Sequence, residues 1–378
     1  MAIKDVIKRL NKEFKDDNLF IKSDVIPTYK RLASGAFGMD YPLFGGLPYG
    51  RICVYSGQAH SGKTTAACCE LAAYQRANPD KTCIYVDVEH SLDIKHQVRM
   101  NGINLDKLYY MNPTTLTGEQ ILDAIIECQK EPDVGMIVLD SIPALLPAQV
   151  LENDLTKDSG MRGTIAKTLH KFLVAMTSMI AEKNNILILI NQVRVAGMTF
   201  QGAPIYKEPG GDAPKYYSSV SVRFGTRTFT QGDNMDACKP DGDGADGFRL
   251  KFKITKNKTA ACNRGGGFIT YRYTTGMDQV HDLLEIALAF GFINRVNNLK
   301  YQLIDLETGE IYTDENGNTL EGKKSDLIDY IMSHNDFKDK YIEMLTNYIS
   351  KGDDSFGSLL DIESSKEIDQ EDKAVNPE

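Results

Sequence analysis

No other stretch restricts the possible folds of this chain as strongly as residues 51–65. Arg51 to Ser56 reads R-I-C-V-Y-S, a short apolar run typical of a buried strand, and the next residues match the pattern G-x-x-x-x-G-K-T. In a strand–loop–helix context, glycines let backbone N–H groups turn inward around a phosphate, and the helix N-terminus adds positive charge. We therefore predict that Lys63 reaches the β- and γ-phosphates of a nucleotide and that the Thr64 hydroxyl ligates Mg²⁺. The nucleotide-binding residues predicted from the loop are Gly57, Gln58, Ala59, His60, Ser61, Gly62, Lys63, Thr64 and Thr65.

After this loop, apolar segments of strand length alternate with helical segments. Continuous apolar strands separated by amphipathic helices indicate a parallel sheet covered on both faces, whose ligands bind at the carboxyl ends of the strands. The predicted strands cover residues 83–86, 108–111, 136–139 and 186–190, and the predicted helices cover 62–77, 93–101, 117–130 and 161–183. Strands of antiparallel type are predicted at 216–224, 248–255 and 267–273, with an Asp/Gly-rich loop at 225–247.

The two ends of the chain depart from this pattern. Apolar residues at helical spacing predict a helix within residues 1–18. After residue 276, a helix at 278–291, strands and turns at 299–314 and a helix at 325–350 predict a small second domain.

The charge of the chain is unevenly distributed. The net charge is −9, and nine acids against two lysines lie between Asp353 and Glu378. Such acidic tails are typically disordered and solubilising; the alternative is a tail that competes with nucleic acid for basic loops. No apolar run is long enough to cross a membrane, and the N-terminus lacks a signal peptide, so we expect a cytoplasmic protein.

Polar side chains follow three of the predicted parallel strands. Asp140 ends the run M-I-V-L-D, where a carboxylate beside the phosphate loop serves the Mg²⁺ shell. Glu89 follows the strand that ends at Asp87, where it is placed to orient or deprotonate water. Gln192 follows Asn191 at the end of the next strand, where its amide is placed to sense the γ-phosphate.

Together these segments resemble the RecA recombinase family, either the bacterial proteins or their phage-encoded relatives. The motifs that carry the resemblance, in order, are G-Q-A-H-S-G-K-T-T at 57–65, D-V-E-H-S-L-D at 87–93, V-L-D-S at 138–141, I-N-Q-V-R at 190–194 and K-N-K at 256–258. The resemblance implies an α/β fold: a RecA-like P-loop ATPase core with a parallel-dominated central sheet flanked by helices, an N-terminal helix and a small α+β C-terminal domain. The implied divisions are 1–32, 33–275, 276–350 and an acidic tail at 351–378.

The resemblance also implies residue roles around bound ATP and Mg²⁺. Lys63 and Thr64 would hold the phosphates and the metal, Asp140 would serve the metal shell, Glu89 would activate water, and Gln192 would couple the nucleotide state to DNA binding. Lys256 and Lys258 match lysines that reach the ATP of the adjacent protomer, as an arginine finger does. Asp93 and His96 would line the nucleotide.

Two segments match the DNA-binding loops of the family, about 146–162 and 195–212. Both are polar or glycine-rich without strong periodicity, so we expect flexible loops at the ligand edge of the sheet. Nothing in them reads base edges, so binding should be independent of sequence. The predicted DNA-binding residues are Arg162, Lys167, Arg194, Met198, Phe200, Gly210, Gly211 and Asp212.

Three departures from the family pattern stand in or beside these motifs. His96 replaces a tyrosine that stacks on adenine, Ala59-His60 replaces Glu-Ser, and Asp212 replaces an asparagine. An acid at 212 would repel phosphate, and His96 would alter nucleotide affinity.

The resemblance predicts an ATP-dependent DNA recombinase that forms a filament on single-stranded DNA and exchanges strands with homologous duplex. Its expected partners are single- and double-stranded DNA, further copies of itself, and single-strand-binding or loading proteins, in the cytoplasm of a bacterial or phage-infected cell. One alternative is a hexameric helicase or translocase with the same core. Another is a mediator that binds DNA or a recombinase without turnover.

Overall fold

The computed structural model describes residues 3–15, 20, 29–148, 161–198, 204–232, 236–239, 244–260, 264–289, 291–297, 299–305 and 308–350. The chain divides into two compact units, residues 1–30 and 31–378. The described part of the first unit is mainly one helix, as the N-terminal periodicity predicted. The acidic tail at 351–378 lies outside the described residues. No helix in the described part of the chain combines the length and apolarity that a membrane crossing requires.

The α-helices are numbered in chain order. They are α1 (Ile3–Phe14), α2 (Phe37–Asp40), α3 (Lys63–Ala77), α4 (Ile94–Asn101), α5 (Gly118–Lys130), α6 (Met161–Lys183), α7 (Ala213–Tyr217), α8 (Gln279–Ala289), α9 (Lys324–Ser333) and α10 (Asn335–Ser350). Short 3₁₀ turns cover Leu105–Lys107 and Ile142–Ala144.

The strands are numbered in the same way. They are β1 (Arg31–Leu32), β2 (Leu47–Pro48), β3 (Arg51–Gly57), β4 (Thr82–Asp87), β5 (Leu108–Met111), β6 (Val134–Asp140), β7 (Ile186–Gln192), β8 (Arg194–Met198), β9 (Pro204–Lys207), β10 (Val220–Phe224), β11 (Thr228–Gln231), β12 (Asp236–Cys238), β13 (Gly247–Asn257), β14 (Gly266–Arg272), β15 (Gly276–Met277), β16 (Ile293–Arg295), β17 (Tyr301–Leu303) and β18 (Glu321–Gly322).

The central sheet is parallel over six strands, in the order β10-β3-β7-β6-β4-β5. The strands β11, β12, β13, β14 and β15 extend it in antiparallel pairing. This arrangement confirms the predicted α/β class with a mostly parallel sheet. It also brings the ends of β3, β7, β6 and β4 to one edge, where Gly57 pairs with Gln192 and Asp87 pairs with Asp140.

The two faces of the sheet bury separate apolar clusters, because successive strand residues point to opposite faces. On β3, Cys53 and Tyr55 pack in the cluster that includes α3, whereas Ile52 and Val54 pack in the cluster that includes α5 and α6. Both faces are therefore covered by helices, and polar side chains at the strand ends are held on a rigid frame.

Three predicted elements differ from the structure. Residues 213–217 form a helix, so the strand predicted at 216–224 is shorter and starts at Val220. Pro214 lies in the first turn of that helix, where its fixed φ and missing N–H are tolerated. The strand β10 is parallel to β3 and antiparallel to β13, so the antiparallel assignment was only half right.

The loop predicted at 225–247 contains β11 and β12, which pair with each other; β11 also pairs with β13. The predicted helix at 325–350 is broken at His334, whose φ of −118° and ψ of 80° end α9 before α10 begins. The helix predicted at 278–291 and a strand within 299–314 are present as α8 and β17.

The C-terminal helices share their core with the sheet domain. Side chains of α8, α9 and α10 pack in one cluster with Phe37 and Tyr41 of the α2 region and Phe268 of β14. The domain boundary predicted at residue 276 stays a prediction.

Asp282 gives this shared core a pH dependence. Its Oδ2 atom accepts the N–H of Thr270 at 3.1 Å, whereas its Oδ1 atom is buried without a hydrogen-bond partner among the described residues. Burial raises the pKa of Asp282 to about 7, against an ordinary value of 3.8. The folded state binds the Asp282 proton more tightly than the unfolded state does, and this difference stabilises the fold. The stabilisation is complete below pH 4 and is lost as the pH rises through 7.

We therefore expect Asp282→Asn to flatten the fall in stability between pH 4 and pH 8.5. Each pKa unit corresponds to about 1.4 kcal/mol, so the difference in unfolding free energy between the two proteins should change by roughly 4 kcal/mol across that range. Urea unfolding at several pH values measures this change. Asp329→Asn, at an exposed position on α9, controls for loss of a carboxylate as such. Parallel curves for wild type and Asp282→Asn would contradict the prediction.

Candidate active site

The phosphate-binding loop predicted from the sequence lies between β3 and α3. Gly57 ends β3, and Gly62 precedes α3 with a φ of 86°. A Cβ atom at Gly62 would lie 2.3 Å from Leu250 Cδ2, so both the backbone conformation and the close approach of β13 require glycine. His60 adopts a positive φ of 61° within the same loop.

The start of α3 has the features of an anion site. Its N-cap residue, Gly62, has no side chain that could cap the helix, so the first-turn N–H groups keep their capacity to bind an anion. The Lys63 ammonium donates to Gln58 O at 2.6 Å and to Ser61 Oγ at 3.3 Å, which holds it against the loop. Burial lowers the pKa of Lys63, and the carboxylates of Asp140 and Glu89 oppose that shift.

Thr64 and Asp140 meet beside this loop. The Thr64 hydroxyl donates to Asp140 Oδ2 at 2.7 Å, and the Tyr85 hydroxyl donates to the same oxygen at 2.6 Å. Burial raises the pKa of Asp140, and these two hydrogen bonds oppose the shift. Since the Thr64 hydrogen is directed to Asp140, its lone pairs remain available to a cation.

Glu89 lies next to Ser141 and Gln192. Its Oε1 atom accepts a hydrogen bond from Ser141 Oγ at 2.5 Å and another from Gln192 Nε2. The Glu89 N–H is directed to the carbonyl oxygen of Asp140 at 3.4 Å. The sheet therefore brings together the three strand-end residues Glu89, Asp140 and Gln192 that the sequence singled out.

Asp87 was missed by the sequence reasoning. Its carboxylate accepts the N–H groups of Ser91 and Leu92, at 3.3 and 3.0 Å, and the Tyr110 hydroxyl at 2.7 Å. It thereby shapes the segment that carries Glu89. Its position at the end of a strand was the available signal, because the carboxyl ends of parallel strands share one edge.

The two residues predicted to line the nucleotide lie at the start of α4, Asp93 as its N-cap residue and His96 in its first turn. Asp93 caps the helix by accepting the His96 N–H at 3.0 Å, and the His96 ring contacts the Arg99 guanidinium at 3.3 Å. The Asp93 side chain therefore has a structural task as a helix cap.

Lys256 and Lys258 lie away from this site. In the sheet, Phe224 pairs with both Gly57 and Phe252, whereas Lys256 pairs with Ser221. At about 3.3 Å per residue and 4.8 Å per strand, Lys256 is roughly 10 Å back from the ligand edge and two strands from β3.

The ammonium groups of both lysines donate hydrogen bonds to carbonyl oxygens near the end of α7. The Lys256 ammonium donates to the Lys215 carbonyl and lies 3.4 Å from Tyr216 O, and the Lys258 ammonium donates to Tyr216 O at 2.9 Å. Burial and the neighbouring Lys258 lower the pKa of Lys256 to about 8.

The described residues of the second predicted DNA loop include two strands. Instead of an irregular segment, β8 and β9 form an antiparallel hairpin that includes Arg194 and Met198. Both strands are short, and residues 194–198 (R-V-A-G-M) do not alternate apolar with polar residues, so the sequence pattern did not indicate a strand. Arg194 is exposed, and the Met198 side chain is 66% exposed. Phe200 lies outside the described residues.

Gly210 and Gly211 of the second predicted loop lie against residues that flank the first predicted loop. Both have positive φ values, and added Cβ atoms would lie 2.8 Å from Ile142 Cγ2 and 3.2 Å from Ala166 Cβ. Asp212 accepts the Tyr216 N–H through its backbone carbonyl and thus starts α7. Lys167 is exposed on α6. Arg162 is the second residue of the same helix, but its side chain lies outside the described residues. Residues 149–160 of the first predicted loop also lie outside them.

No cluster of three or more His, Cys, Asp or Glu side chains placed for a metal ion occurs among the described residues. The predicted Mg²⁺ ligands Thr64 and Asp140 would form a sparse site, which suits Mg²⁺ because this ion keeps several waters and takes the remaining ligands from phosphates.

Comparisons with known proteins agree with the geometry. The model of the RecA N-terminal domain matches residues 1–278. The chain is 31% identical to Protein RecA of Thermus aquaticus, over 79% of this chain and 83% of that protein. It is 30% identical to the mitochondrial DNA repair protein recA homolog of Dictyostelium discoideum, over 98% of this chain and 78% of that protein. The crystal structure of the RadB recombinase aligns with a TM-score of 0.44 and 20% identity, over 64% of this chain and 95% of that one. From the matched family model and the two sequence relatives, together with its phosphate loop and strand-end residues, the chain belongs to the RecA family.

Proposed function

We propose that this protein is a DNA-dependent ATPase that assembles on single-stranded DNA as a filament and promotes homologous pairing and strand exchange. The observation that carries the proposal is the contact of Glu89 with Gln192, beside the Thr64–Asp140 pair, at the ligand edge of the sheet. The relatives named Protein RecA and the DNA repair homolog support a role in recombination and repair.

The loop residues fit ATP with Mg²⁺. The uncapped N-terminus of α3 and the Lys63 ammonium would hold the phosphates, and Thr64 and Asp140 would hold the ion. Bound Mg²⁺ neutralises charge that develops on the phosphates. Glu89 is then the group placed to take a proton from attacking water.

A chain of contacts supports the coupling of nucleotide to DNA. Gln192 contacts Glu89, and the neighbouring Asn191 donates from Nδ2 to Pro209 O at 3.0 Å. Pro209 directly precedes Gly210 and Gly211, which pack against the elements that flank the first loop. A change at Glu89 would thus reach the second proposed DNA loop and the elements that flank the first.

The test is ATP hydrolysis with and without unspecific single-stranded DNA, for wild type and Lys63→Ala. We expect DNA to stimulate wild-type hydrolysis strongly. Lys63→Ala should lower the rate by a factor of about 10² to 10³, because the positive charge that the protein holds beside the phosphates is lost.

Lys130→Ala is the matched control, since Lys130 is half exposed and forms only an i, i+3 ion pair with Glu127 on α5. Hydrolysis that DNA does not stimulate would contradict the proposal. No measurable DNA-stimulated hydrolysis, with DNA binding retained, would favour the mediator. Electron microscopy of the DNA complex separates helical filaments from closed rings.

A further inference from the structure

A tyrosine inside the sheet holds the carboxylate of the proposed metal site. Tyr85 lies in the middle of β4, with its side chain 1% exposed, and its hydroxyl lies 2.6 Å from Asp140 Oδ2. The Thr64 hydroxyl lies 2.7 Å from the same oxygen. Two donors from different elements therefore converge on one carboxylate oxygen.

The sheet fixes the position of this hydroxyl. Tyr85 pairs in register with Val138 of β6, and Asp140 is two residues further along β6, on the same face. Diagonal neighbours of this kind are within reach of an aromatic side chain. The Tyr85 ring packs in the apolar cluster that covers one face of the sheet, so the hydroxyl is held by a rigid environment.

The apolar surroundings do not require the hydroxyl. Phenylalanine would fill almost the same volume, and a buried hydroxyl is retained without cost only where it has a partner. Its partner here is Asp140. The backbone adds to the link, because the Val88 N–H donates to the Asp140 carbonyl at 2.6 Å.

We propose that Tyr85 is a positioning residue for the metal shell, which orients the Asp140 carboxylate so that it and Thr64 present a preformed cation site. This inference rests on the proposed nucleotide-binding function. Without the Tyr85 hydroxyl, the carboxylate retains Thr64 as a side-chain donor but loses the contact that fixes it to β4. Metal-dependent binding should weaken, whereas the metal-free contacts of the phosphates with Lys63 and the start of α3 should not change.

The experiment measures the affinity of the full chain for a fluorescent ATP analogue, first in EDTA and then in a Mg²⁺ titration. For Tyr85→Phe we expect the metal-free affinity to stay within twofold of wild type. The Mg²⁺ concentration at half-maximal effect should be roughly tenfold higher, because a hydrogen bond to a charged group is lost. Tyr55→Phe is the matched control, because Tyr55 is also a fully buried strand tyrosine and donates to Glu70 at 3.3 Å.

Three results of the Mg²⁺ titration would overturn the inference. They are an unchanged Mg²⁺ midpoint in Tyr85→Phe, an equal shift in Tyr55→Phe, or a shift that a second hydroxyl-free variant, Tyr85→Met, does not reproduce. Loss of metal-free affinity in Tyr85→Phe would equally count against it, because that would indicate general damage to the loop. Wild-type protein that binds no nucleotide at all would overturn the proposed function as well.

Discussion

Glu89→Gln should abolish most ATP hydrolysis while leaving nucleotide binding within a few-fold of wild type. A general base contributes typically about 10² to 10⁴ in rate, and glutamine cannot accept the proton. The substitution preserves the local geometry, because the amide oxygen of glutamine can still accept from Ser141 Oγ and Gln192 Nε2. The loss should therefore appear in kcat and not in binding. Single-turnover hydrolysis and equilibrium binding of a fluorescent nucleotide, both on single-stranded DNA, separate the two quantities.

A suitable control is Glu127→Gln, since the Glu127 side chain is 70% exposed on α5 and pairs only with Lys130. A fall in rate of less than tenfold for Glu89→Gln would mean that another group activates water. Restored turnover in Glu89→Gln at high pH would instead support the assignment of Glu89, since hydroxide can then replace the missing base.

The fold of the nucleotide site was predictable because its signals are local. The strand before Gly57, the loop and α3 follow each other without a break, and apolar strands such as β6 and β7 are continuous in the sequence. The residue at the end of each parallel strand must lie at one edge, so the sequence alone was enough to place Asp140 and Gln192 together.

Features that depend on strand order could not be predicted in the same way. The contact between Tyr85 and Asp140 requires β4 to lie beside β6, although β5 comes between them in the chain. The hairpin of β8 and β9 was missed for a different reason, because its two strands are too short to create a distinctive sequence pattern. Asp87 was missed because its partners, two backbone N–H groups and Tyr110, are visible only once the loop has its shape.

The position of Lys256 and Lys258 bears on how the site is completed. Both ammonium groups bind carbonyls near α7. The backbone of Lys256 lies roughly 10 Å back along the sheet from the phosphate loop, at about 3.3 Å per residue, and Lys258 is two residues further along the chain. A lysine side chain does not span that distance together with two strand spacings. If these lysines stabilise the transition state, they must do so for ATP bound by a neighbouring protomer. This interpretation requires a head-to-tail interface, which generates filaments or rings.

The double variant Lys256→Ala/Lys258→Ala should then lose DNA-stimulated hydrolysis by a factor of about 10³ or more, the scale of an arginine finger supplied in trans. Mixing it with Lys63→Ala should restore activity, because each protomer lacks what the other supplies. In a random equal mixture, about a quarter of head-to-tail interfaces would pair an intact loop with intact lysines. Lys300→Ala, which removes a surface ion pair with Glu321, is the control. If the two inactive variants assemble together on DNA without regaining hydrolysis, the lysines do not act on the ATP of a neighbouring protomer. Other residues would then have to complete the site.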